Sequence, residues 1–189
     1  SRDPSDVPAQ ILLGELLEEQ GQWDEAVNAY EAAQRLDPTP ETAERIERAN
    51  FASIRFPAKL QGDWREGERI AQSGVGKQFS DDPRRPAGGN CYACHQMSKQ
   101  EISFGTIGPS LYNYGKIRGI KDPADPASRA IVEYTWGKIW NAKAYNACSN
   151  MPRAGHSGIL TEAQARLLRR WQGKTGDPQT HIEAPASGY

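Results

Sequence analysis

No apolar run in this sequence approaches the roughly 20 residues needed to cross a bilayer. No stretch of any length alternates apolar with polar residues as a half-buried strand does, so the chain reads as mostly α. Runs of Lys and Arg interleaved with aromatics are missing too, which sets nucleic-acid binding aside. The first residues, SRDPSDVPAQ, lack the basic-then-apolar shape of a secretory signal, so the chain is expected to be either cytoplasmic or already processed. Sulfur and imidazole are scarce, with 3 Cys, 2 Met and 3 His in 189 residues. The abundant residues are ordinary. With 25% charged and 37% hydrophobic residues, the chain has the balance of a soluble globular protein. Its length suits one domain, or a small domain with an appendage.

Charge divides the chain. Residues 1–60 carry 12 acidic and 6 basic side chains, a net −6, whereas residues 61–189 carry 12 acidic and 17 basic, a net +5. Such asymmetry points to two modules with different surfaces. In segment 9–38, Ile11, Leu12 and Leu16 recur at helical spacing, with Leu13 and Leu17 on a neighbouring strip. Gly21 breaks the pattern. A second helix then places Ala26, Tyr30 and Ala33 along one face, and Pro38 stops it. Leu13, Gly14, Leu17, Gly21, Ala26, Tyr30, Ala33 and Pro38 fall at the spacing of a tetratricopeptide repeat, which the segment resembles. One more helix is expected after Thr39 or Thr42, without repeating the pattern. A single repeat cannot bury its own face, so this one must lean on something else: its own neighbouring domain or another chain. The module is expected to serve packing and association.

Further along, residues 63–73 form an amphipathic helix with Trp64, Ile70 and Ala71 apolar, and 127–140 is a second helix. A third, 161–171, starts at Thr161 and places Ala163, Leu167 and Trp171 on one stripe, with Leu168 beside them. The polar tail is expected to be poorly ordered. The domains expected are a helical repeat-like extension over 1–60, a second domain over 61–175 and a tail over 176–189.

The chemistry lies in GGNCYACHQM (88–97). Cys-x-x-Cys-His is the c-type haem attachment pattern. Two cysteines one turn apart can each add sulfur to a haem vinyl group. A histidine directly after the second, His95, then lies beneath the ring with a nitrogen aimed at the iron. The competing readings are a thioredoxin-like dithiol, which wants a βαβ context, and half of a zinc site, which wants a second pair of ligands where only Cys148 remains. One covalent haem, on Cys91 and Cys94, is the reading adopted. It implies the exported side of a membrane, the periplasm in a bacterium, with any signal already removed. The sixth iron ligand comes from Met97, Met151, Cys148, His156 or His181. Met97 is too close to His95 to reach the opposite face. Met151, in an Asn-Met-Pro turn ahead of the terminal helix, is favoured, and His156 or Cys148 is the alternative. The order motif, loop, Met, closing helix matches a class I, single-domain cytochrome c fold. Cys148 otherwise reads as a buried small hydrophobe. Tyr112, Tyr114, Trp136 and Trp140 are expected to line haem or fill the core. Arg118 and Arg153 are candidates to pair with haem propionates.

Two segments go beyond a generic cytochrome. GTIGPSLYNYGKIRG (105–119) and NMPRAGHSGILTEAQ (150–164), taken with CYACH, resemble SoxX, the monohaem subunit of the SoxXA complex of bacterial sulfur oxidation. The resemblance covers about residues 63–172. It implies Cys91 and Cys94 as thioether attachments to haem c, and His95 and Met151 as axial ligands. It implies a periplasmic heterodimer with a SoxA-type cytochrome subunit, whose activity is of the L-cysteine S-thiosulfotransferase type. In that complex thiosulfate is joined oxidatively to a cysteine of the carrier protein SoxYZ. This chain would take the electrons and pass them to a small cytochrome c, contributing no catalytic residue of its own. The other functional expectation is a free electron-shuttle cytochrome with an unrelated partner. The repeat-like extension and the terminal RRWQ depart from the SoxX pattern.

Overall fold

A computed structural model describes residues 6–56, 63–122 and 125–166. Among them the regular structure is helical, with no strand. The α-helices are α1 (Val7–Glu19), α2 (Trp23–Leu36), α3 (Pro40–Ala52), α4 (Trp64–Gln72), α5 (Tyr114–Ile117) and α6 (Arg129–Trp140). Residues 162–166 are helical as well. Short polar side chains start several of them. Asp6 accepts from the Ala9 N–H at 3.2 Å, Thr39 from the Thr42 N–H at 3.2 Å and Asp63 from the Arg65 N–H at 2.9 Å. Each satisfies a backbone donor that the first turn leaves open. The chain divides into two compact units, Ser1–Phe56 with Gly137–His156, and Pro57–Trp136 with Ser157–Tyr189.

The first unit is built on the expected hairpin. Ala26, Val27, Tyr30 and Ala49 form its core, and Ile11, Leu17, Trp23 and Ile46 pack against them. Tyr30 sits over Gly14, where a Cβ would overlap the phenol ring. The Gly14 and Tyr30 of the repeat pattern are thus one contact: the missing side chain on α1 makes room for the ring on α2. The apolar strip expected on α1 divides. Ile11 and Leu17 turn inward, whereas Leu12 and Leu16 remain 55% and 39% exposed. Helix α3 packs on α2 and reaches α1 through Arg45–Glu15 and Arg48–Glu18 ion pairs.

A late segment completes this unit. The expected division placed everything after residue 60 in a second domain, but residues 137–156 pack with the N-terminal helices. The physical reason is polar as much as apolar. Asn141 is fully buried, and its amide donates to Asn50 Oδ1 at 2.7 Å and Ser53 Oγ at 3.2 Å. Lys143 and Arg153 both pair with Glu31 at 3.3 Å, and His156 Nδ1 lies 2.6 Å from Asp24 Oδ1. The charge asymmetry of the sequence is therefore spent, in part, inside one unit.

In the second unit Ile70, Ala71, Ile120, Val132, Trp136, Leu160 and Ala165 are buried. The loop after α4 is organised by Asp81, whose carboxylate accepts from the backbone N–H groups of Gly76, Lys77 and Gln78. Thr161 and Gln164 form a reciprocal cap: the Thr161 hydroxyl accepts from the Gln164 N–H at 3.3 Å, and Gln164 Oε1 accepts from the Thr161 N–H at 3.0 Å. In the helix that follows, Ala165 is buried and Ala163 exposed, so the buried side is not the stripe expected from Ala163. Leu167, Leu168, Trp171, His181 and the tail 176–189 lie outside the described residues.

Gly14→Ala should destabilise the first unit by about 1–3 kcal/mol, because the added methyl group must displace a ring packed on all sides. Urea unfolding followed by helical circular dichroism checks this. An unchanged midpoint would show that Tyr30 can move aside freely.

Candidate functional site

CYACH occupies one tight turn. Asn90 precedes it in the left-handed region, at φ +47°, and Cys91–Ala93 form a single 3-10 turn. The N–H groups of Cys94 and His95 both donate to the Cys91 carbonyl, at 3.1 and 2.9 Å. The two thiols and the imidazole thus leave the chain from one turn of backbone. Upstream, three donors fasten the turn. The Gly88, Gly89 and Asn90 N–H groups donate to the Val75, Ile70 and Ser73 carbonyls at 2.9, 2.8 and 3.0 Å.

Downstream, the chain returns alongside. The N–H groups of Gly105, Gly108 and Leu111 donate to the carbonyls of Tyr92, Cys94 and Gln96, each at 2.8 Å. This irregular rail is the GTIGPSL run of the sequence. It delivers the Pro109 carbonyl to 2.7 Å from His95 Nδ1. A carbonyl only accepts, so the imidazole donates from Nδ1, and in the neutral ring this tautomer leaves the lone pair on Nε2. A ring fixed in that way suits a metal-ligating histidine, whose other nitrogen is normally held by an acceptor. Gly108 is what allows the fit, because a Cβ there would overlap the His95 ring. His95 is 9% exposed. Burial pushes the Cys91 thiol up to about 11, so it stays a neutral S–H at physiological pH.

These residues fit a covalently attached haem. Both thiols are free and partly accessible. The imidazole is oriented with Nε2 uncommitted to the carbonyl, and Ile107 stands on the rail 72% exposed, an apolar side chain beside the motif. Among the described residues no three His, Cys, Asp or Glu side chains gather as ligands of one ion, unlike a closed zinc site.

Met151 lies in the first unit. It is half-buried, and its N–H donates to Ser149 Oγ at 3.2 Å. His156, the alternative ligand, has Nδ1 committed to Asp24. Cys148 is exposed, not a buried small hydrophobe: it sits in a turn where its N–H donates to Asn146 Oδ1 at 3.0 Å. Arg153 is spent on Glu31 and Asn50, while Arg118 lies over the rings of Tyr114 and Tyr134. Trp136 is fully buried, Tyr114 Oη meets Thr135 Oγ1 at 3.1 Å, Tyr112 carries Lys99 over its ring, and Trp140 is half-buried. The residues that sequence reasoning missed are Gly108 and Pro109, legible only as part of the Ile-Gly-Pro-Ser run, and Glu31, Asn50 and Asp24, for which no motif exists.

The tetratricopeptide repeat family matches residues 7–40, the hairpin of α1 and α2. Repeats of this kind generally mediate protein–protein interaction. The chain is also 37% identical over 115 residues to a protein of Aquifex aeolicus (strain VF5) named "Uncharacterized lipoprotein". The match covers 58% of this chain and 50% of that protein, so the chain spans about half the length of this relative. Among the described residues no helix is long and apolar enough to cross a membrane.

Gly108→Ala should push the His95 ring off the Pro109 carbonyl, because the added methyl group would overlap the ring. Imidazole nitrogen NMR of the purified chain measures it, and an unchanged Nδ1–H signal would contradict the fit. A second expectation concerns acid. Burial first, then the Arg153 guanidinium, lower the pKa of His156 in the folded chain, against Asp24 and Glu31. A lowered folded value means that the unfolded chain binds the proton more readily. Stability is then intact above the unfolded pKa of about 6.5 and falls as pH drops through it towards the folded value. Melting temperature against pH should show this loss, reduced in His156→Asn.

Proposed function

We propose that the protein is an exported monohaem cytochrome c that accepts and passes on single electrons, with a class I fold in its haem-bearing part. The observation that carries this reading is the His95 Nδ1 to Pro109 carbonyl contact within an intact Cys-x-x-Cys-His turn. It is the orientation a proximal ligand requires. Attachment to Cys91 and Cys94 needs no further reagent in its balance: each thiol adds across a vinyl group, sulfur to one carbon and hydrogen to the other. Haem held there supplies a one-electron iron couple. His95 would hold the iron through Nε2 and Met151 through its thioether sulfur, which would raise the potential relative to two imidazoles. The chain's own part is to hold these groups; it offers no nucleophile or acid–base pair. Export is supported by the chemistry of haem attachment and by the lipoprotein name of the relative.

In finer terms the reading is the electron-accepting subunit of a SoxXA-type complex. Support comes from the rail: the Ile-Gly-Pro-Ser-Leu run of the resemblance is the segment that holds the motif. In the reaction thiosulfate joins a carrier cysteine, a sulfur–sulfur bond forms, and one proton and two electrons are released. The electrons leave one at a time through this chain. A tetratricopeptide-like hairpin is consistent with a protein that works in an assembly.

The test is mass spectrometry of the protein from its source. Under denaturing conditions the chain should carry one haem that survives acid–acetone extraction; an extractable haem or a bare chain sinks the assignment. Under native conditions a stable heterodimer with a second cytochrome is expected. A monomer that only exchanges electrons rapidly would make the protein a free shuttle. Met151→Ala should remove the sulfur-to-iron charge-transfer band of the oxidised state and lower the potential.

A further inference from the structure

The loop that carries Met151 is closed by two clasps, and both lie on the helices of the repeat-like hairpin and its neighbour α3. Glu31, on α2, takes Lys143 Nζ at 3.3 Å and Arg153 at 3.3 Å. Asn50, on α3, accepts through one Oδ1 from Asn141 Nδ2 at 2.7 Å and from Arg153 Nη1 at 3.4 Å. Each clasp therefore joins a residue before Met151 to one after it. A third tie, His156 to Asp24 at 2.6 Å, fastens the end of the loop to the start of α2. Within the loop, the Gly155 and His156 N–H groups donate to the Trp140 carbonyl at 3.2 and 3.1 Å, and local turns place the Ser149 N–H on the Asn146 carbonyl at 2.9 Å and the Met151 N–H on Ser149 Oγ at 3.2 Å.

We propose that Glu31, Asn50 and Asp24 are positioning residues for Met151. On this view the repeat-like helices set the iron's second axial ligand as well as any contact with a partner. The inference rests on Met151 being that ligand. A methionine has three rotatable bonds and no preferred direction of its own. Residues 146–156 contain no helix or strand to aim it. The aim must come from what the loop is tied to, and a functional group is useful only when held to within about half an ångström. Arg153 and Glu31 are 15% and 18% exposed, so their pair is shielded from water and holds one geometry where a surface pair would not. Arg153 stands two residues from Met151, close enough in the chain for its anchorage to fix the backbone at the ligand.

The test uses the full haem-loaded chain and the variants Glu31→Gln, Asn50→Ala and Asp24→Asn, none of which touches the attachment motif. Two readouts are taken: hydrogen exchange at the Gly155 and His156 amides, and the sulfur-to-iron charge-transfer band with its potential. In the variants exchange should rise by about tenfold, the effect expected from losing one charged hydrogen bond. The band should weaken and the potential should fall, while helical content stays near wild type. Faster exchange with an unchanged band and potential would mean that the clasps only stabilise the loop, and would overturn the proposal. So would unchanged exchange and an unchanged band, leaving the ligand assignment standing. A wild-type protein without the band would overturn the ligand assignment itself, and the positioning role with it. If Asn50→Ala does not fold, Glu31→Gln alone decides, since the glutamine keeps the size of the side chain.

Discussion

Helix α2 has more to bury than one neighbour can cover. Ala26, Val27, Tyr30 and Ala33 are all fully buried, and Ala29 nearly so. Helix α1 covers one side, with Gly14 opened to the Tyr30 ring. Helix α3 covers another. In a longer array the next repeat would continue the stack. Here residues 137–156 return and add to the unit instead. The hairpin's need for a neighbour is the constraint behind this arrangement. It explains why a sequence stretch so far along the chain is bonded to the first helices, and why that stretch carries the basic partners of Glu31 and Asp24.

The polar contacts between the late segment and the helices converge on few groups. A single carboxylate serves two cations, and a single amide oxygen serves two donors. Groups shared in this way resist partial loosening, because releasing one partner leaves a shielded charge or acceptor behind. The segment is thereby held as a unit. Leu12 and Leu16 on α1 have no such partners among the described residues and stay exposed.

The Cys-x-x-Cys-His turn depends on a different device, backbone pairing without a sheet. Three donors fasten it before Cys91 and three more run beside it after, so the backbone from which the thiols and the imidazole leave is held on both sides. Pro109 contributes nothing through its ring to this contact. Its carbonyl is what fixes the imidazole, and Gly108 contributes by having no side chain. That is why a run read in sequence only as a resemblance becomes, in three dimensions, the part of the chain that orients His95.

The sequence by itself determined the elements and the motif. The periodicity of 9–38, the helix start at Thr39, the helices near 63–73 and 127–140, and the adjacency of Cys91, Cys94 and His95 are all local facts. Each depends on residues within a turn or two of one another, and such spacings are visible in one dimension. The helix at 161 was legible at its cap but not in its buried side, because Ala163 and Ala165 differ only in what packs against them. Tertiary structure alone decided that 137–156 belongs with the first helices, that Arg153 pairs with Glu31, that Cys148 is exposed, and that Pro109 holds His95. These are pairings between residues 14 to 132 positions apart, and no periodicity or motif records them. They follow from which faces were left uncovered once the local elements had formed.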